Sequence, residues 1–496
     1  MRRNQKSIVL VTVDCFRSDH AGFMGYKRQT TPFLDSLAKE SVVFRQAIAA
    51  GSPTYYSVPA ILASRYPLAL GRDVLGLGPD ELTLATVLKS TDYATAAFVA
   101  GNPYIARRFG YDRGFDVFRD FLEEEAALPS GDSIKGLNGR WGSRLNRKLQ
   151  KIRPALGPVG AVYDEMYFRY CQRVAGVPES LDALRRFPAA DTIVDEALHW
   201  IDTVGDTPFF LWLHLMDPHA PYYPKQEALA RLGESPIRPY QARYLNSYWN
   251  RSDLGPRRLR SRCHQIVALY DAGIRWVDAQ MGRLVEALRN KDRWNDCIFA
   301  LTADHGEEFL DHGGRFHPPS RLMEELIHVP LLLRTPGHEG KKQEDSPFGL
   351  IHLGPTLLEA ADAPIPEEFR GRSYWQAKSP SATVAVSECV AGCTNPFRRE
   401  NRMGARVLSV REYRFKLVLF FDRAAENLYD LEADPKETAP IDRSAQIPVR
   451  RRLLEIAREH LRHSTECDLR SRAQAQLREL QLEWVNQQKK LPAMAV

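Results

Sequence analysis

Ile298-Phe299-Ala300-Leu301-Thr302-Ala303-Asp304-His305-Gly306-Glu307-Glu308-Phe309-Leu310-Asp311-His312-Gly313-Gly314-Arg315-Phe316-His317 is the stretch on which the reading of the chain turns. Its opening residues are continuously apolar. The run is too short for a helix that glycines interrupt so soon, and it reads as a buried strand. That strand delivers Asp304 and His305 side by side, followed by Gly306 and a loop carrying His312, Gly313, Gly314 and His317. Open α/β sheets bind ligands outside the carboxyl ends of their strands, so a carboxylate and an imidazole placed there suit a metal or an anion. An Asp-His pair can also simply close a strand-to-loop turn. A second strand of the same design, at the other end of the chain, weighs against that simpler reading. Residues 8–13 are uninterrupted and β-branched, reading as a central strand buried on both faces, and they end at Asp14, with Cys15, Arg17, Asp19 and His20 close behind.

Outward from these two strands the pattern alternates. Residues 94–100 read as a strand ending at Gly101 and Asn102, residues 208–215 as one ending in Met216-Asp217-Pro218-His219, and residues 329–334 as another. Helices are expected over 32–39, 58–63 with Ser57 as N-cap, 81–89, 189–202 and 355–361. The clearest helical period joins Ile266, Tyr270, Ile274, Val277, Met281, Leu284 and Leu288. Alternating strands and helices predict an α/β fold with a central, mostly parallel sheet flanked by helices. Residues 131–153, basic and rich in Gly, Asn and Ser, read as a surface insertion, and 224–263 as a surface excursion or lid. Near 385–440 the pattern turns hairpin-like, with antiparallel strands at 407–410 and 415–421. The expected organisation is an α/β catalytic domain over 1–384, a small β subdomain over 385–440, and a helical extension over 441–496 made of two polar helices, 449–461 and 473–484.

Composition narrows the function classes. The 496 residues are 44% apolar and 26% charged, which excludes whole-chain disorder. A formal charge of +6 is small for this length and gives no argument for nucleic acid, although a basic field favours anionic substrates. No apolar run has the length of a membrane span. The seven cysteines are scattered, and the Cys389/Cys393 pair lacks partners for a structural zinc site. An odd cysteine count and an N-terminus without a secretory core predict reduced thiols and a cytoplasmic location. The C-terminal helices are candidates for homo-oligomer contacts.

Three strands thus end in Asp14, in Asp217-Pro218-His219 and in Asp304-His305. If they are neighbours, two carboxylates and a histidine meet in one crevice, a donor set compatible with Mg²⁺, Mn²⁺, Ca²⁺ or Zn²⁺. Such a cation lowers a hydroxyl's pKa and neutralises charge on a transferred phosphoryl or sulfuryl group. Thr54 or Ser57 supplies the hydroxyl in Thr54-Tyr55-Tyr56-Ser57-Val58-Pro59.

Five segments, in order from residue 8 to about residue 437, resemble the sulfatases and their relatives in the alkaline phosphatase superfamily. They are Val13-Asp14-Cys15-Phe16-Arg17, Thr54 to Leu62, Asp217-Pro218-His219-Ala220-Pro221, Ala303-Asp304-His305-Gly306-Glu307, and Leu428-Tyr429-Asp430-Leu431-Glu432. The resemblance implies one divalent cation held by Asp14, Asp304 and His305, with Thr54 as a nucleophile that also touches it. It implies that His219 and His317 contact the transferred group or protonate the leaving group. It places Asn102, Asp217 and Ser57 among the substrate contacts.

The departures from the family pattern matter. Sulfatases convert a cysteine or serine to formylglycine, and a threonine cannot be converted, so no formylglycine is expected. A second register sets Ser57-Val58-Pro59-Ala60 on the motif but leaves Ile61 where arginine belongs; the downstream Arg65-Tyr66-Pro67 favours Thr54. Cys15 stands where many sulfatases carry a second metal-binding aspartate. An unmodified threonine, familiar among the superfamily's phosphodiesterases and phosphoryl transferases, shifts the expected substrate from sulfate toward phosphate or phosphonate esters. Sulfate-ester hydrolysis, phosphoryl transfer and a non-catalytic binding role are the alternatives.

Overall fold

The continuously apolar runs form the strands of one large sheet. The computed structural model describes residues 5–122, 157–176, 178–337, 343–376 and 384–490. The expected insertion at 131–153 lies outside them. In chain order the strands are β1 (Ser7–Val13), β2 (Val42–Ile48), β3 (Ala94–Val99), β4 (Val117–Arg119), β5 (Phe209–Leu215), β6 (Cys297–Ala303), β7 (Glu308–Phe309), β8 (Arg315–Phe316), β9 (His328–Arg334), β10 (Gln343–Glu344) and β11 (Phe348–Gly349). Among the described residues the main sheet runs β10-β2-β9-β6-β1-β5-β3-β4, with β11 also on β2. The pairs from β6 through β1, β5 and β3 to β4 are all parallel, whereas β9 is antiparallel to both β6 and β2.

Register decides where the chemistry falls. Val13 lies opposite both Leu215 on β5 and Ala303 on β6, so the residues after these three strands emerge together at one edge of the sheet. Every residue of β1, β5 and β6 is buried. At about 1.5–3 kcal/mol for each large apolar side chain removed from water, this core anchors the strand ends that carry the polar residues.

Three helical expectations need correction. The helix expected at 58–63 begins at Thr54 and runs to Ala63, with Pro53 at its N-cap position. Ser57 is therefore one turn inside the helix rather than capping it. The region 224–263 is not an irregular excursion. It forms the helices Gln226–Arg231 and Pro239–Trp249 and the first turns of a 35-residue helix, Pro256–Asn290. The two C-terminal helices are one, Ile447–Lys490.

The second sheet is antiparallel, β12 (Val384–Val390), β13 (Arg406–Glu412), β14 (Phe415–Phe420) and β15 (Ala425–Asp430) in that spatial order. It bears on the loop that leads into Thr54. Ser387 Oγ donates to Ala49 O at 2.6 Å, Glu388 N to Ala50 O at 2.8 Å, and Tyr55 Oη to Cys393 O at 2.6 Å. The helix that begins at Thr54 is thereby clamped between the large sheet and the small one.

Candidate active site

Asp14 and Asp304 follow β1 and β6 directly, and both are completely buried, as is His305. Thr54, the first residue of its helix, points into the same place. Its Oγ1 donates to Asp14 Oδ2 at 3.3 Å and lies 3.3 Å from His305 Nε2. Asn102 Nδ2 donates to Asp14 Oδ2 at 2.9 Å and to Thr54 Oγ1 at 3.5 Å. His305 Nε2 stands 3.6 Å from both Asp14 Oδ1 and Asp304 Oδ2. The structure therefore brings Asp14, Thr54, Asn102, Asp304 and His305 together.

The protonation of His305 follows from its other nitrogen. Nδ1 faces the carbonyl of Gly306 at 2.8 Å, and a carbonyl only accepts, so Nδ1 carries a proton and Nε2 is the nitrogen turned toward the carboxylates. Gly306 is needed for this. A Cβ there would lie 2.0 Å from the Glu325 carbonyl oxygen, which accepts from Glu307 N at 3.0 Å while Gly306 N donates to Leu326 O at 2.9 Å. Burial alone would raise Asp14, but the rings of His219, His214 and His305 outweigh it and hold the carboxyl well below the usual range. Asp304 goes the other way, raised first by burial and next by Asp14.

A divalent cation fits this floor. Asp304 Oδ2 is buried without a hydrogen-bond partner. Two carboxylates face each other there, with the His305 imidazole between them and no arginine or lysine on either carboxylate among the described residues. Buried carboxylates so placed need a positive charge, and their oxygens with an imidazole nitrogen make a hard-to-borderline donor set.

The remaining expected residues divide. His317 and His219 stand over the floor, their ring centroids 5.2 Å apart and His317 4.7 Å from His305. His219 Nδ1 is engaged by the Ala220 carbonyl, and burial lowers its pKa, leaving a neutral ring. His317 resists burial because Glu307, 3.4 Å from its Nδ1, raises it. Asp217 does not join them. Its Oδ1 accepts from Arg185 Nη2 at 2.7 Å, so the expected substrate contact is an ion pair in the wall. Ser57 Oγ is buried without a partner and makes no hydrogen bond to the cluster.

Three neighbours escaped sequence reading. His214 on β5 directs Nε2 at Asp14 Oδ2, 3.4 Å away, and its Nδ1 meets Thr12 Oγ1 at 2.8 Å. Its signal was a histidine inside the wholly apolar run Phe209-Phe210-Leu211-Trp212-Leu213. Glu307, given no role of its own in the Ala303-to-Glu307 segment, is fully buried and neither carboxylate oxygen is hydrogen-bonded. Tyr104 N donates to Asn102 Oδ1 at 3.0 Å and so orients that amide.

Residues 6–363 match the family profile described as Sulfatase, and residues 314–461 match that described as N-sulphoglucosamine sulphohydrolase, C-terminal. The chain belongs to the sulfatase family. Within the alkaline phosphatase superfamily, this sulfatase-family chain is 23% identical over 462 residues to an arylsulfatase of Clostridium perfringens, covering 87% of this chain and 89% of that one. It is 26% identical over 285 residues to arylsulfatase K of Canis lupus familiaris, covering 50% of this chain and spanning about half (51%) of that protein's length. Among solved structures, the phosphonate monoester hydrolase of Agrobacterium radiobacter superposes with a TM-score of 0.62 at 19% identity, over 93% of this chain and 96% of the other. A protein solved in complex with its substrate D-glucosamine-2-N,6-O-disulfate superposes with a TM-score of 0.66 at 16% identity, over 94% and 99%. These likenesses establish the sulfatase fold, a central mostly parallel sheet flanked by helices with a small antiparallel sheet beside it.

Proposed function

We propose that this sulfatase-family chain hydrolyses phosphate or phosphonate esters with unmodified Thr54 as its nucleophile. The observation that carries the reading is the position of Thr54 Oγ1, 3.3 Å from both Asp14 Oδ2 and His305 Nε2 at the start of a buried helix. Asp14, Asp304 and His305, together with the Thr54 hydroxyl, are the residues that would hold a divalent cation. When bound, that cation makes the hydroxyl more acidic and offsets negative charge on the transferred group.

This chain's own residues supply the rest. Thr54 Oγ1 passes its proton along the hydrogen bond to Asp14 Oδ2 and attacks phosphorus in line, forming the Thr54 ester as the bond to the leaving alcohol breaks. Asn102 Nδ2 holds Asp14 and Thr54 in register. His317, kept protonated by Glu307, donates to the departing oxygen, and His219 walls the pocket as a neutral ring. Water then attacks the Thr54 ester and gives its proton to His317, while the Thr54 O–P bond breaks and Asp14 returns its proton to the departing Thr54 oxygen. The likeness to phosphonate monoester hydrolases supports phosphonates beside phosphates as substrates.

The test is a panel of phosphomonoesters, phosphodiesters, phosphonate monoesters and sulfate esters, assayed with added Mn²⁺, Mg²⁺, Ca²⁺ or Zn²⁺. Turnover of a phosphorus ester that Thr54→Ala abolishes and Thr54→Ser retains in part supports the reading. Turnover of sulfate esters alone, or turnover indifferent to Thr54→Ala, overturns it.

A further inference from the structure

Above the floor lies a second group of donors with a different chemistry. Cys15 Sγ is 3.4 Å from His317 Nδ1, and one donor atom each from Cys15, His219 and His317 lie within 4.8 Å of one another. Donors bound to tetrahedral zinc at ordinary lengths stand roughly 3.3–3.8 Å apart, so the Cys15–His317 pair already has the spacing and His219 needs a small approach. The His219 proton sits on Nδ1, against the Ala220 carbonyl, which leaves Nε2 as its donor. Two further observations point to a ligand. Glu307 is completely buried, neither of its oxygens is hydrogen-bonded, and Oε1 is 3.4 Å from His317 Nδ1. Cys15 is held in the left-handed region, φ 62°, a conformation that costs a side-chain-bearing residue about 1 kcal/mol and here aims Sγ into the pocket.

The Glu308–His312–Glu325 group has metal-like spacing as well, but its Glu308 is paired with Arg321 and accepts from the backbone of His312 and Gly314. It needs no ion. The Glu307 carboxylate and the Cys15 thiol have no arginine or lysine on them among the described residues: Glu307 faces the His317 ring, 3.4 Å away, and Cys15 Sγ donates to Asp14 Oδ1 at 3.1 Å.

We propose that Cys15, His219 and His317 form a second metal site, specific for soft zinc-class cations, whose occupation blocks the pocket. A thiolate with two imidazoles prefers zinc or cobalt to magnesium or calcium, whereas the oxygen-rich floor does not discriminate in that way. Binding releases the Cys15 thiol proton and the Nδ1 proton of His317 to solvent and ties up one lone pair on each histidine. His317 is then held as a neutral ring and can no longer serve as the general acid. The block on turnover rests on the Thr54 reading; the binding does not.

The test uses the full chain stripped by chelator and titrated with Co²⁺ and with Zn²⁺. The expected results are a near-ultraviolet thiolate-to-cobalt band and two zinc ions per chain by native mass spectrometry. Cys15→Ala loses the band and one ion, Cys263→Ala loses neither, and Asp304→Asn keeps the band. Zinc inhibits turnover supported by Mg²⁺ or Mn²⁺, and Cys15→Ala raises the inhibitory concentration at least about tenfold. Circular dichroism verifies that the variant folds, and His317→Gln is the second variant should Cys15→Ala fail to fold. A thiolate band with one ion per chain overturns the proposal by assigning Cys15 to the floor. Absence of the band at saturating Co²⁺ overturns it too. An inactive protein that still shows the band and two zincs retains this site while the Thr54 reading fails.

Discussion

Two groups of buried acids in this chain are treated in opposite ways. Under the small sheet, Glu324 and Glu437 meet the fully buried Lys416, whose Nζ lies 3.1 Å from Glu324 Oε1 and 2.8 Å from Glu437 Oε1, and Arg411 pairs with Glu324 as well. Burial alone would raise Glu324, but Arg411 and Lys416 hold it down at about 2. At the sheet edge, Asp14, Asp304 and Glu307 are completely buried. Their partners are histidines, and Asp304 is raised by burial and by Asp14. Where the charge is structural, the chain supplies its own cation. Where the charge faces a pocket, the chain leaves a place for one from outside.

The contrast is testable at decreasing scale. Asp304→Asn is expected to abolish binding of the floor cation and to cost about 10⁴-fold in kcat, about 5 kcal/mol of barrier, as read by metal content and steady-state kinetics. Lys416→Met strands the buried Glu437 carboxylate, leaves Glu324 with Arg411 alone, and should lower unfolding stability by about 3–5 kcal/mol in urea titration. A loss under 1 kcal/mol would show that the lower group is not held by its ion pairs.

His312 gives a pH signature. Its hydrogen bond to Glu325, 2.7 Å from Nδ1, is the main cause of a pKa raised to about 9. The folded value lies above the unfolded value of about 6.5, so the stabilisation is complete below pH 6.5 and is lost as pH rises through 9, a span of about 3 kcal/mol that solvent screening at this half-buried ring cuts to about 2 kcal/mol. His312→Gln should flatten the stability profile across that window. The smallest effect has the opposite sign: in chelator-treated protein, Asp304→Asn should raise stability by about 1 kcal/mol, because it removes a carboxylate repelled by Asp14. A fall in apoprotein stability would erase the distinction between the two groups.

The floor of the site was legible because it obeys a strong rule. Uninterrupted apolar runs make buried parallel strands, and the polar residues ending them gather at one edge, so Asp14, Asn102, Asp304 and His305 could be read in advance. The start of the Thr54 helix was misplaced by Val58-Pro59, which looks like a first turn. The helix instead tolerates Pro59 because all ten of its residues are buried and packed. The long helix from Pro256 was hidden at its beginning by Arg257, Arg258, Arg260 and Arg262, whose charges break the apolar period without breaking the helix. The C-terminal helix was split in two because His463 to Asp468 lacks apolar spacing, yet no glycine or proline interrupts the chain between 449 and 490. The partners of Asp217, His214 and Glu307 could not be read from the sequence, for one reason. Which partner a polar side chain finds across the fold, Arg185 for the first and the pocket for the others, leaves no local periodicity.

The chemistry proposed for this pocket requires that the Thr54 oxygen carry the transferred group. Rapid acid quench of the full chain turning over a phosphorus ester, followed by peptide mass mapping, tests it most directly. The predicted result is a phosphoryl or phosphonyl adduct on Thr54 that Thr54→Ala lacks. A turning-over enzyme with Thr54 unmodified, or with the adduct on Ser57 or Cys15, would contradict it.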